Sequence, residues 1–177
     1  MGQFSQIFVD AGTPFIAYAE RVLDGVGPHN CARKPTWGIG GELIDCNHPS
    51  FVFGHLALYP ARMYTMLGLD PAPVAAPNGF EDLFAAGKEC RDDPHGSIYP
   101  ELGLITSAFF RGMRATLDTV ARTSDAEFLK NNPVEKARAR FPTVGSAVNF
   151  MLTGHVGVHI GQLSTWRRAM GLPPAIR

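Results

Sequence analysis

Net charge is the first thing this chain lacks: sixteen lysines and arginines face sixteen aspartates and glutamates over 177 residues. A protein that neutralises phosphates needs a basic surface, so neither nucleic acid nor an anionic membrane patch is an expected partner. Cysteine is scarce too. Cys31, Cys46 and Cys90 are odd in number and form no CxxC pair, which suits a reduced cytoplasm and inert loop thiols better than a disulfide framework. The opening residues, MGQFSQIFVDAG, contain neither a basic stretch nor an unbroken apolar run, so no signal peptide is expected. Gln6 stands where a myristoylation signal wants Ser or Thr. Phe150 to Ser164 is free of formal charge but too short to span a bilayer, and its His, Gln and Gly content suits a protein interior. No β-type alternation of useful length and no internal repeat occurs.

What is present is helical periodicity over a length suited to one domain, residues 1–177. Apolar stripes with cap and stop signals predict principal helices near 4–25, 48–67, 100–123 and 143–170. Thr13-Pro14 either starts a fresh helix or kinks the first. Asn47 is the expected cap of the second helix, and Pro60 should bend it about one turn after His55. Two shorter helical pieces are expected at 79–84 and 125–130. Four main helices with long connections predict an all-α bundle.

The fourth segment, TVGSAVNFMLTGHVGVHIGQLSTWRRAMG, organises the rest. Thr143 is placed to cap it, Gly171 and Pro173-Pro174 to stop it, and no proline interrupts the run between. Its stripe passes through Val148, Met151, Leu152, His155, His159, Leu163 and Trp166, placing two histidines one turn apart on the face meant for the core. A buried imidazole needs a hydrogen-bond partner or a metal, since an unmet polar group costs about 1–3 kcal/mol. HxxxH alone is a common spacing that satisfied core histidines also produce. Gly154, Gly157 and Gly161 weaken the helix, which suggests either a close neighbour or space kept beside the histidines. On the second helix His55 shares an apolar face with Val52, Leu56, Tyr59 and Met63. His29, His48 and His95 fall in loops or at a helix start, where solvation is the expected state.

If the second and fourth helices are neighbours, His55, His155 and His159 converge. Three neutral nitrogen ligands plus water make an open site, suited to catalysis more than to structure. Imidazole suits Zn, Ni, Cu or Fe(II), with Zn or Ni expected first. Gln162 is placed either to support the histidines from behind or to face a substrate, and equally to satisfy only a backbone carbonyl.

GHLALYPARM around His55, FPT at 141–143 and HVGVHIGQLSTWRRAMGLPP, with its H-x3-H-x-G-Q-L core, resemble the DinB-like superfamily over nearly the whole chain. That superfamily consists of metal-binding four-helix bundles and includes thiol-dependent S-transferases and a maleylpyruvate isomerase. The resemblance implies an up-down-down-up bundle, a frequent homodimer, and a divalent metal on His55, His155 and His159. It identifies no catalytic residue. Two functions follow from it: a metal-dependent enzyme that turns a low-molecular-weight thiol on an electrophile, or a non-catalytic, metal-binding or stress-associated dimer. Arg62, Arg111, Arg114, Arg167 and Arg168 are candidates to meet the carboxylates of a thiol substrate, though a solvated or ion-paired state is the one expected for each.

Overall fold

The structure is a computed structural model that describes residues Gly2 to Ala175. Among them it is all-α: helices α1 (Gln3–Arg21), α2 (Pro49–Leu56), α3 (Tyr59–Met66), α4 (Phe80–Phe84), α5 (Leu102–Arg122), α6 (Asp125–Leu129), α7 (Val144–Leu152) and α8 (Gly154–Ala169). Among the described residues the β-type pairings are two isolated bridges, Thr36 with Leu43 and Asn131 with Thr143. The predicted segments correspond to α1, α2–α3, α5 and α7–α8, and the short pieces to α4 and α6.

α1 runs through Pro14 without a break. Gly2 offers no cap, and the Asp125 carboxylate of α6 closes the helix instead, accepting from Gln3 N at 3.0 Å and Phe4 N at 3.1 Å. An anion at a helix start also answers the positive end of the dipole. Thr143 caps α7 as expected, in a reciprocal box with Ser146.

The second segment divides at Ala57–Leu58, because Pro60 cannot follow in an unbroken helix yet fits the first turn of a new one. Its cap is His48 rather than Asn47: His48 Nδ1 accepts from Phe51 N at 3.2 Å. His48 is also fully buried, against the solvated state expected for it, because its Nε2 meets the Arg91 carbonyl at 2.9 Å. Both ring nitrogens thus have partners, one of them supplied by a loop far along the chain.

The long C-terminal helix is likewise two helices. Thr153, at φ −119° and ψ −79°, separates α7 from α8, and its hydroxyl bonds back to the Asn149 carbonyl at 2.7 Å. A β-branched residue making that bond, followed by a glycine, is a natural place for a helix to break. His155 therefore lies in the first turn of α8.

α5 packs against α1, α2 and α3, while α7 meets α1, α3 and α6. α8 touches α1, α2 and α7, which makes α2 and α8 the neighbours that the histidine argument requires. Phe53 and Phe109 meet edge to face at 5.2 Å, as do Phe8 and Phe128 at 5.0 Å, and these pairs join the layers. No helix among the described residues is long and apolar enough to cross a membrane.

Candidate metal centre

His55 comes from the last turn of α2, whose every residue is buried. Gly54, just before it, lies against the Phe84 ring, where an added Cβ would fall 2.6 Å from the ring carbons. That close approach brings the backbone of α4 within reach, and His55 Nδ1 donates to the Phe84 carbonyl at 2.8 Å. A carbonyl only accepts, so the proton is on Nδ1 and the Nε2 lone pair faces inward. His159 follows the same plan. Its Nδ1 donates to Gln162 Oε1 at 3.0 Å, and Asn47 Nδ2 donates to the same oxygen at 3.2 Å. Of the roles open to Gln162, its oxygen takes that of holding the outer nitrogen of His159.

His155 stands between the two. Its Nε2 is 3.3 Å from His55 Nε2 and 3.2 Å from His159 Nε2. One nitrogen cannot satisfy both neighbours, since it carries at most one proton. If the proton is on Nε2, one contact remains a clash of lone pairs; if it is on Nδ1, all three Nε2 lone pairs converge. In either tautomer Nδ1 is left without a partner. A cation at the centre removes this conflict. Two ligands about 2.0–2.1 Å from a tetrahedral ion lie about 3.3 Å apart, which is the spacing seen here. The residues therefore fit a divalent ion, and all three ligating nitrogens lie within 4.8 Å of one another. No fourth His, Cys, Asp or Glu joins the group among the described residues.

Burial first, and then the neighbouring rings, hold the imidazoles neutral. His155 is pushed down to about 3 and His159 to about 4, and His55 is lowered in the same direction by burial. Neutral imidazole is the ligating form. It also ties stability to pH. Rings whose folded values lie below the ordinary 6.5 stabilise the fold fully above that pH, and the contribution is lost as pH falls toward about 4. Unfolding of the metal-free protein near pH 5 should therefore take up about two protons from solvent, onto His155 and His159. Denaturant midpoints should hold from pH 7.5 to about 6.5 and fall from there to pH 5, and a His155→Ala, His159→Ala double variant should flatten that slope.

His155 and His159 are half-buried rather than enclosed, so the stripe expected to face the core turns them to its edge. Gly157 lies against Phe15, where a Cβ would come within 2.7 Å of the ring, whereas Gly161 opens onto free space. The close neighbour expected of these glycines is thus present at Gly157, where Phe15 of α1 takes the place of a side chain. Tyr59 forms one wall, with its ring centroid 4.1 Å from that of His155. The Arg62 guanidinium covers Tyr59 at 4.6 Å and pairs with Glu81 at 3.3 Å. Of the five candidate arginines Arg62 is the one whose contacts reach the triad. Arg114 pairs with Glu20, Arg167 is buried against backbone carbonyls, and Arg111 and Arg168 are exposed. The cysteines stand outside the cluster, and burial pushes the Cys90 thiol up to about 11.

Sequence reasoning missed Phe84, whose contribution is a main-chain oxygen with no residue-type signal. Tyr59 stands one turn from His55 in the sequence, where its spacing assigns it only to the apolar face. Set against known proteins, the chain matches no family model, no curated protein and no solved structure.

Proposed function

We propose that His55, His155 and His159 bind a divalent metal ion, Zn or Ni before others, and that the protein is a metal-dependent enzyme acting on a low-molecular-weight thiol. The observation that carries this is the convergence of three Nε2 atoms at 3.2–3.3 Å with two of the outer nitrogens already anchored. Anchored outer nitrogens fix the orientation of ligating imidazoles and raise their basicity. The DinB-like motifs around these residues support the same view, and with it an up-down-down-up four-helix bundle that pairs as a homodimer.

A divalent ion held by three neutral ligands keeps its full charge, and so favours the anionic form of a thiol placed beside it. The chain's own residues supply the setting. The Phe84 carbonyl and Gln162 hold two imidazoles in the ligating tautomer. The Tyr59 ring closes one side against water. Arg62 offers positive charge at the rim for a substrate carboxylate, although Glu81 competes for it. In the transfer, sulfur forms a bond to the electrophilic carbon as the leaving group departs, and the thiol proton passes to solvent.

A cluster with three histidines and no fourth His, Cys, Asp or Glu among the described residues favours catalysis over a purely structural or stress-associated metal site. The test is consumption of free thiol by metal-loaded protein with an alkyl halide, using cysteine and glutathione as probes. Thiol loss above the uncatalysed rate that disappears on chelation is the expected result. Metal binding without turnover of either thiol would shift the assignment to the non-catalytic dimer, and sedimentation would still test the pairing.

A further inference from the structure

Asn47 is a good cap that α2 does not use. His48 takes that place, and the Asn47 side chain reaches instead to α8, 115 residues along the chain, where its Nδ2 donates to Gln162 Oε1 at 3.2 Å. The same oxygen accepts from His159 Nδ1 at 3.0 Å. Two side-chain amides and one imidazole therefore form a short chain of hydrogen bonds. It starts in the loop before α2 and ends on a ring of the triad.

A carbonyl oxygen has two lone pairs and an NH2 group two protons, so this chain has two arrangements without a mismatched contact. In the first, which the structure shows, the Gln162 oxygen accepts from both neighbours and His159 carries its proton on Nδ1. In the second, both amides are turned end for end. The Gln162 NH2 then donates one proton to the Asn47 oxygen and the other to a bare His159 Nδ1. Turning one amide alone sets two donors or two acceptors against each other.

A neutral imidazole has a single proton, so the two arrangements differ at its far side. The first leaves the Nε2 lone pair of His159 free for a cation. The second puts the proton on Nε2, facing His155 Nε2 at 3.2 Å, and closes that position to a metal. We propose that Asn47 and Gln162 are positioning residues of the metal centre, a two-amide relay that sets the tautomer of His159 and, through it, the affinity for the ion. Its effect on affinity rests on the metal-binding reading of the triad; its effect on the tautomer does not.

Two exchanges of an NH2 for an oxygen, Gln162→Glu and Asn47→Asp, separate the relay from simple charge. Each adds one negative charge near the triad, and attraction for a cation alone would strengthen metal binding in both. A carboxylate only accepts, however, so each variant selects a different arrangement. Gln162→Glu holds the first: His159 should carry its proton on Nδ1, and Zn affinity should rise about tenfold. Asn47→Asp needs the Gln162 NH2 opposite it and so holds the second: the proton should move to Nε2, and Zn affinity should fall about tenfold. Long-range proton–nitrogen correlation spectra of the isotope-labelled, metal-free full-length chain at neutral pH read the tautomer, and competition with a chelating dye reads the affinity. Closely similar metal-free melting temperatures establish that the variants keep the fold. The same His159 tautomer in both variants, or affinity changes of the same sign, would overturn the relay. A wild type that binds no Zn would overturn the metal reading instead, and the tautomers alone would then decide the relay.

Discussion

His155→Ala should abolish the rise in melting temperature that Zn or Ni gives the wild type. A ligand that binds only the folded state stabilises it by mass action, by about 2.7 kcal/mol at a free concentration one hundred times Kd. For a chain of this size that is about 5–10 °C. His155 is the residue to remove because both inter-histidine contacts pass through its Nε2. Without it, His55 and His159 remain as a two-ligand remnant of low affinity. The metal-free variant should melt close to the metal-free wild type, since the substitution also deletes a buried Nδ1 that has no partner. That comparison separates loss of a ligand from loss of the fold. Equal metal stoichiometry and equal melting shifts in the two proteins would place the metal elsewhere.

The cluster was legible in the sequence because its ligands obey two short-range rules. His155 and His159 are four apart on a helix, and His55 sits on an apolar stripe where a lone imidazole has no reason to be. Helical period carries both signals, and neither depends on distant residues. What the sequence concealed was what the ring nitrogens bind. His48 looked like a solvated residue at a helix start, yet it is buried because the Arg91 carbonyl, 43 residues on, receives its ring. His55 depends on the Phe84 carbonyl, 29 residues on. A main-chain acceptor is available at any residue type, so no pattern announces it.

The break at Thr153 was hidden for a related reason. Thr-Gly inside a helical run costs helix propensity without forbidding the helix, and only packing decides whether the chain straightens or bends there. The bend at Pro60, by contrast, follows from a missing N–H and a ring clash, which are local and unavoidable. Local chemistry was readable, and the outcome of long-range competition was not.

Arg167 is the clearest case of such concealment, and it carries the largest stability effect expected outside the metal centre. In sequence it is one of a surface-like pair with Arg168, near a helix end. In the fold it is 1% exposed. Its guanidinium donates to the Val22 carbonyl at 3.1 Å, to the Asp24 carbonyl, and through two nitrogens to the Pro173 carbonyl at 3.2 and 2.8 Å. Val22 and Asp24 follow the end of α1, where carbonyls have no intrahelical donor and the dipole is negative. Pro173 belongs to the segment after α8. One planar fork therefore ties the end of α1 to the end of the chain's last helix, over 145 residues of sequence. Arg167→Leu should fill much of the volume yet leave three carbonyls without their donor. At about 1–3 kcal/mol for each unmet group, offset by relief of a buried charge, the net loss should be about 2–5 kcal/mol. That corresponds to a fall in melting temperature of about 5–15 °C. Arg167→Lys should fall between the two, because a point charge on a flexible stem cannot hold all three oxygens in the geometry of the fork. Metal stoichiometry should be unchanged in both variants at temperatures where they are folded, because Arg167 lies two turns beyond His159 and touches none of its partners. If Arg167→Leu melts within about 1 kcal/mol of the wild type, the guanidinium is a tolerated passenger and the helix ends are held by packing alone.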